Sequence, residues 1–186
     1  MKRITFIAMM VNLAIASAYA QRPVEMVFSG TGGASSINLK QPNTNTAEEN
    51  VAGHGTLGQF TFRDVRATST APQPSTTCSG LYFPSTSGAA LLRFQDGSVL
   101  AVNLTQGGDC LDLVAMLGHC TLTFKITGGT GRFKNASGVL TYTETAMPLL
   151  GDVSNNPVFF AETGEITGTI SGVGTGTEEE SQDVRQ

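Results

Sequence analysis

The stretch Ile126-Thr127-Gly128-Gly129-Thr130-Gly131-Arg132-Phe133-Lys134-Asn135-Ala136-Ser137-Gly138 is a glycine-punctuated corner between two alternating segments. Leading in, Cys120, Leu122, Phe124 and Ile126 share one face, and Thr121, Thr123, Lys125 and Thr127 share the other. Leading out, Leu140 and Tyr142 oppose Val139, Thr141 and Thr143. A period of two on both sides marks strands, so Gly128, Gly129, Gly131 and Gly138 turn the chain rather than hold a ligand. A phosphate-binding loop needs Gly-Lys-Ser/Thr where Arg132 and Phe133 stand. A dinucleotide fingerprint would place its third glycine at Lys134, and no helix of useful length follows. Glycine here supplies the positive φ angles that a strand-linking turn demands.

The corner resembles the one in allene oxide cyclases and plant dirigent proteins, where Gly-Gly-Thr-Gly-(Arg/Lys)-Phe links strands of an antiparallel barrel. The likeness is specific over Gly128 to Gly138 and is echoed by Gly164 to Gly172, the kind of closing strand such barrels carry. Upstream of residue 120 only a general strand rhythm matches. The whole chain resembles small secreted bacterial members of that superfamily. The resemblance implies an all-β fold, an antiparallel barrel of about eight strands. Phe133 is then an apolar plug over a barrel end, with Arg132 and Lys134 pointing outward. The activities of those families reside in lumen residues that find no match here, so no catalytic residue is carried over.

Strand candidates with two-residue alternation are Val24–Ser29, Gly55–Thr68, Ala89–Gln95, Ser98–Thr105, Cys120–Thr127, Val139–Glu144 and Val158–Ser171. Seven or eight strands separated by turns rich in Gly, Pro and Asn suggest a sandwich or a barrel. Asp96-Gly97 is a strong hairpin signal. Phe60 and Phe62 face opposite to Thr61 and Arg63. The last candidate is long enough to hold a bend or bulge, expected at Gly164. The segments Gly32–Asn50 and Thr70–Ser87 read as polar surface loops. Leu111–Gly118 offers one short helix or a loop.

Lys2 and Arg3, an apolar run from Ile4 to Ala16, and Ala18-Tyr19-Ala20 form a signal-peptide pattern over residues 1–20. The chain is therefore expected to be secreted or periplasmic, with a barrel domain over 21–174 and a solvated acidic tail over 175–186. Cleavage after Ala20 removes two of eleven basic residues and none of fifteen acidic ones, leaving a net charge of −6. That balance argues against nucleic acid and against anionic membrane surfaces, which need a basic stripe. The apolar run is too short for comfortable, stable membrane insertion.

Three cysteines in an exported chain invite one disulfide and one free thiol. Cys78–Cys110 is the favoured pair, closing a loop of about thirty residues and contributing roughly 3–4 kcal/mol in the chain-entropy model. Cys110–Cys120 is the runner-up. Cys78 and Cys110 sit in loops, whereas Cys120 shares the apolar face of Leu122 and Phe124. His119 and Cys120, adjacent on a strand, point to opposite faces, which works against a nucleophile–base pair. His54 and His119 lie far apart, and Asp109 and Asp112 lack the ligand density of a calcium loop, so neither metal nor cofactor is expected. Glu144, Glu162, Glu165, Arg63 and Arg93 read as outward strand positions that limit edge pairing.

These signals favour a non-catalytic exported barrel that binds a small apolar ligand or serves a structural role. With ten Phe, three Tyr and no Trp, its lumen is expected to be apolar. The alternative is an isomerase or cyclase acting on a hydrophobic substrate in the lumen. A polar cluster inside the barrel discriminates in favour of the second. The pattern fixes no oligomeric state.

Overall fold

A computed structural model describes residues 21–154 and 156–174. The expected signal peptide and acidic tail lie outside these residues. Eight antiparallel strands close into a barrel in chain order: β1 (Arg22–Ala34), β2 (Thr44–Gly55), β3 (Phe60–Ser69), β4 (Leu81–Phe94), β5 (Val99–Asp112), β6 (Leu117–Gly129), β7 (Ser137–Gly151) and β8 (Pro157–Ser171). The β8 strand pairs with β1, Ile166 opposite Met26, and leaves no free edge. Inward positions carry the core, including Met26, Phe62, Leu92, Leu122, Phe124 and Ile166. Outward positions carry exposed Glu25, Arg63, Arg93, Lys125 and Glu165. A lipid-spanning barrel has the opposite polarity, with an apolar outer band. Among the described residues no helix is long and apolar enough to cross a membrane.

The missing strand is β2. Its inward positions toward the strand end are Glu49, Val51, Gly53 and Gly55, and its outward ones are polar apart from Ala52, so no apolar alternation announces it. Gly32–Asn50 is accordingly not one loop: β1 runs to Ala34 and β2 begins at Thr44. Likewise Leu81–Ser87 belongs to β4, Gly55 ends β2, and Leu111–Gly118 is a turn between strand ends rather than a helix. Cys110 lies in β5, not in a loop. The β8 strand pairs through Gly164 without a shift. The irregularities of the β7–β8 pair lie at its other end, at Leu149 in β7 and Val158 in β8. Gly164 instead makes room for a ring: a Cβ there would stand 2.7 Å from Phe28 Cζ.

Three bulges follow one chemical rule. Each extra residue is a threonine whose hydroxyl donates to a carbonyl of the neighbouring strand. Thr86 shares its proton between Ala67 O at 3.3 Å and Gln41 Oε1 at 2.8 Å, Thr105 reaches Thr123 O at 2.9 Å, and Thr127 reaches Ala101 O at 3.2 Å. The side chain thereby satisfies an acceptor where the ladder is interrupted.

The even topology gives the barrel two unlike ends. The β2–β3, β4–β5 and β6–β7 connections gather at one end, and the other four connections at the opposite end. The first end is closed. Asp96 and Gly97 form the β4–β5 turn, with Phe94 N donating to Ser98 O at 2.9 Å and Gly97 at φ +82°. Phe133 enters on a single 3-10 turn and is fully buried against Phe94, ring centroids 4.7 Å apart. Gly128, Gly131 and Gly138 have positive φ; Gly129 does not, and is required because a Cβ would meet Val99 O and Phe133. Lys134 is exposed.

Arg132 corrects the expectation of an outward side chain. Its guanidinium donates to Leu57 O at 2.6 Å and pairs with Asp96 at 3.0 Å. It also lies over the rings of Phe133 and Phe94, 4.6 and 5.0 Å from their centroids. One cation thus ties all three connections of the closed end together. Its long stem and delocalised charge suit it to cover aromatic surface while remaining hydrated at the tip.

Candidate functional site

Above the closed end, the lumen is crossed by stacked aromatics. Tyr142 is sandwiched between Phe28 and Phe62, at 4.6 and 5.1 Å, and Phe124 meets Phe62 edge-on at 6.1 Å. The Tyr142 hydroxyl points away from this floor and donates to Glu144 Oε2 at 2.5 Å. Here the apolar core stops.

Toward the open end the inward positions become ionisable. Register places Glu49 opposite Asp64, Asp109 opposite Cys120, and Cys120 opposite Glu144. Asp109 faces inward only because the bulge at Thr105 reverses the alternation of β5: Leu104 pairs with inward Phe124, but Gln106 pairs with outward Thr123. Glu162 comes from β8, and its carboxyl lies over Gly32, where a Cβ would overlap Oε1. The lumen is therefore not apolar. Five carboxyl groups surround a single guanidinium, Arg66.

Arg66 is buried and serves three of them. It donates to Glu49 Oε1 and to both oxygens of Asp64 at 3.3 and 3.2 Å, while its other amino group reaches Asp109 Oδ1 at 3.2 Å. Burial disfavours its charge, but Glu49, Asp109 and Asp64 outweigh that and hold its pKa well above the ordinary value. Among the described residues Glu144 and Glu162 form no ion pair with a cation. Burial, reinforced by the nearby Glu49 charge, pushes Glu162 and Asp64 up to about 8 and Glu144 well above the carboxylate range. Burial, then the Glu49 and Glu144 charges, also raises the Tyr142 pKa and keeps its hydroxyl a donor. Oε2 of Glu49 and of Glu162 are buried without a hydrogen-bond partner among the described residues. Such a set holds protonated carboxylic acids at neutral pH within reach of anchored carboxylates, the condition for moving protons in either direction.

Of the residues singled out from sequence, Glu144 and Glu162 come together inside the barrel, contrary to the outward expectation. Arg63, Arg93 and Glu165 do face outward, and Arg63 pairs with Glu48 at 2.6 Å. His54 and His119 are exposed and lie apart. Cys120 is buried and His119 is not, as their adjacent positions demand; burial, and then Asp109, raise the thiol's pKa. One donor atom each from Glu49, Cys120 and Glu144 lie within 4.8 Å of one another, a spacing that fits a metal ion. The Arg66 guanidinium already holds Glu49, and the Tyr142 hydroxyl already holds Glu144. Cys78 and Cys110 form the disulfide, with Cα atoms 5.6 Å apart. The bridge ties the β3–β4 loop to the strand position next to Asp109.

Glu49, Asp64, Arg66 and Asp109 were missed as site residues. Asp64 and Arg66 continue the inward alternation of Phe60 and Phe62, so that pattern carried a signal. Glu49 and Asp109 carried none, since one sits in an unannounced strand and the other behind a bulge. Compared with known proteins, the chain matches no family model and no curated protein.

Proposed function

We propose that this chain is an exported member of the allene oxide cyclase/dirigent-like barrels that performs acid–base chemistry, as an isomerase or cyclase, on a small hydrophobic substrate at the open end of its lumen. The observation that carries this reading is the pair Glu144 and Glu162, buried side by side next to the Arg66 cluster and above an aromatic floor. A pure ligand-binding barrel gains nothing from burying five carboxyls against one cation, because unpaired buried charge is costly. In an acid–base cycle the same arrangement is useful. The ionised form of Glu162, with its pKa near 8, takes a proton from a carbon beside a carbonyl. The electron pair moves onto the carbonyl oxygen, where neutral Glu144 donates a hydrogen bond. Return of the proton to a different carbon completes a redox-neutral isomerisation that consumes no co-reactant. The signal-peptide pattern and the disulfide support secretion or a periplasmic location.

The test uses a hydrophobic β,γ-unsaturated ketone as probe in D₂O, with deuterium entry at the α-carbon followed by NMR. Protein-dependent exchange is expected to rise with pH through about 8, to vanish in Glu162→Gln and to fall in Glu144→Gln. Binding of the probe without any exchange would instead identify a ligand-binding barrel.

A further inference from the structure

The open end differs from the rest of the surface in one respect. Of fifteen large apolar side chains exposed among the described residues, twelve lie on its loops and strand ends; only Val27, Leu91 and Val139 lie on the wall. Two of these side chains are the most exposed of the fifteen. Val114, in the β5–β6 turn, is 96% exposed, and Val153, in the β7–β8 turn, is 104% exposed. Leu113, Met116, Leu149 and Leu150 flank them. Charge is scarce there: among residues 35–43, 70–80, 112–116 and 152–156 only Lys40, Asp112 and Asp152 are charged.

The two acidic side chains serve their own turns. Asp112 accepts from Val114 N and Ala115 N at 2.8 and 2.9 Å, and Asp152 accepts from Ser154 N and Asn156 N at 2.8 and 2.9 Å. The backbone N–H groups of Val114, Ala115, Ser154 and Asn156 therefore have acceptors inside the protein and need not keep water when the turns leave it. Exposed apolar groups of this extent mark an interaction surface.

We propose that the open end rests on a zwitterionic lipid surface, inserting Val114 and Val153 and their flanking side chains, and takes its apolar substrate from that surface. One basic group, Lys40, against Asp112 and Asp152 leaves those loops without the net positive charge that draws proteins to anionic lipid. Two separate exposed turns whose backbone donors are already satisfied suit a deformable lipid interface better than the flat, complementary face a protein partner needs. The polar outer wall keeps the barrel itself in water. This inference rests on reading the lumen as the site of chemistry, since it supplies the route by which a water-insoluble substrate reaches Glu144 and Glu162.

The experiment is flotation of the exported protein with phosphatidylcholine vesicles, and with vesicles in which part of that lipid is replaced by phosphatidylglycerol. Binding to the first is expected to persist at high salt and to weaken on the second. Val114→Asp and Val153→Asp together are expected to lower it by about tenfold or more, because burying a charge opposes insertion. Val139→Asp, on the wall, leaves it unchanged. None of these touches the lumen, so deuterium exchange of a water-soluble ketone probe remains in all of them. Failure of the native protein to float, or equal losses from Val139→Asp, overturns the lipid surface alone while exchange persists. Self-association seen by light scattering, without flotation and abolished by the double substitution, overturns it in favour of an interface between copies of the chain.

Discussion

Raising the pH from about 5 to about 8.5 is expected to destabilise this barrel, the reverse of ordinary acid denaturation. The Asp64 carboxyl is the clearest source. Its ordinary pKa is 3.8 and burial lifts it to about 8 in the fold. Between those values the folded state holds a proton that the unfolded state has released, so each rise in pH favours unfolding. Its favourable contribution is complete below the ordinary value and is lost as pH climbs through about 8. A shift of this size corresponds to an upper bound of about 5–6 kcal/mol. Glu162 and Glu144 act in the same direction, and all three share the repulsion of Glu49, so their effects overlap rather than add. The half-buried carboxylates Glu48 and Asp112 and the exposed Asp152 have lowered pKa values and act in the opposite sense only below the ordinary carboxylate range. Calorimetric melts at constant ionic strength should thus show Tm falling by about 10–20 °C across the window. Asp64→Asn keeps an oxygen for Arg66 but cannot ionise, and should flatten the curve. A Tm that holds steady or rises, or an unchanged slope in Asp64→Asn, would refute the buried-acid account.

The closed end offers a second prediction. Phe133→Ala should cost about 3–5 kcal/mol for a fully buried ring, and Arg132→Ala about 2–3 kcal/mol through the lost carbonyl bond and ring contacts. Denaturant melts decide between this and a surface arginine worth less than about 0.5 kcal/mol. Non-reducing peptide mapping should join Cys78 to Cys110 and show Cys120 unalkylated until unfolding. Reduction should lower stability by about 3–4 kcal/mol for the 32-residue separation.

The legible parts of the chain were those where one face is apolar. Cys120 to Ile126, Phe60 with Phe62, and Leu140 with Tyr142 all alternate cleanly because the lower lumen is filled by their side chains. The Asp96-Gly97 turn and the burial of Phe133 were legible for the same local reasons. Legibility failed where the lumen changes chemistry. Inward Glu49 amid Thr, Asn and Gly makes β2 resemble a loop, since periodicity is scored on apolarity and here the inward face is acidic. Arg132 was misread because its partners, Leu57 O and Asp96, stand on two other turns that no local pattern brings near.

The bulge at Thr105 shows why the site and the disulfide cannot be separated. In an unbroken β5, the inward series Leu100, Val102, Leu104 would continue to Gly108 and Cys110. Asp109 would face solvent and Arg66 would lose a partner, while a second thiol would enter the lumen near Cys120. The extra residue reverses both outcomes at once. Asp109 turns inward to Arg66, and Cys110 turns outward to meet Cys78. The crosslink then resists the reverse slip, because restoring the regular register would pull Cys110 through the sheet. A register shift is cheap to make and cheap to undo in an isolated hairpin. Here a threonine hydroxyl on one side and a covalent bond on the other hold it, and the charge arrangement of the lumen depends on both.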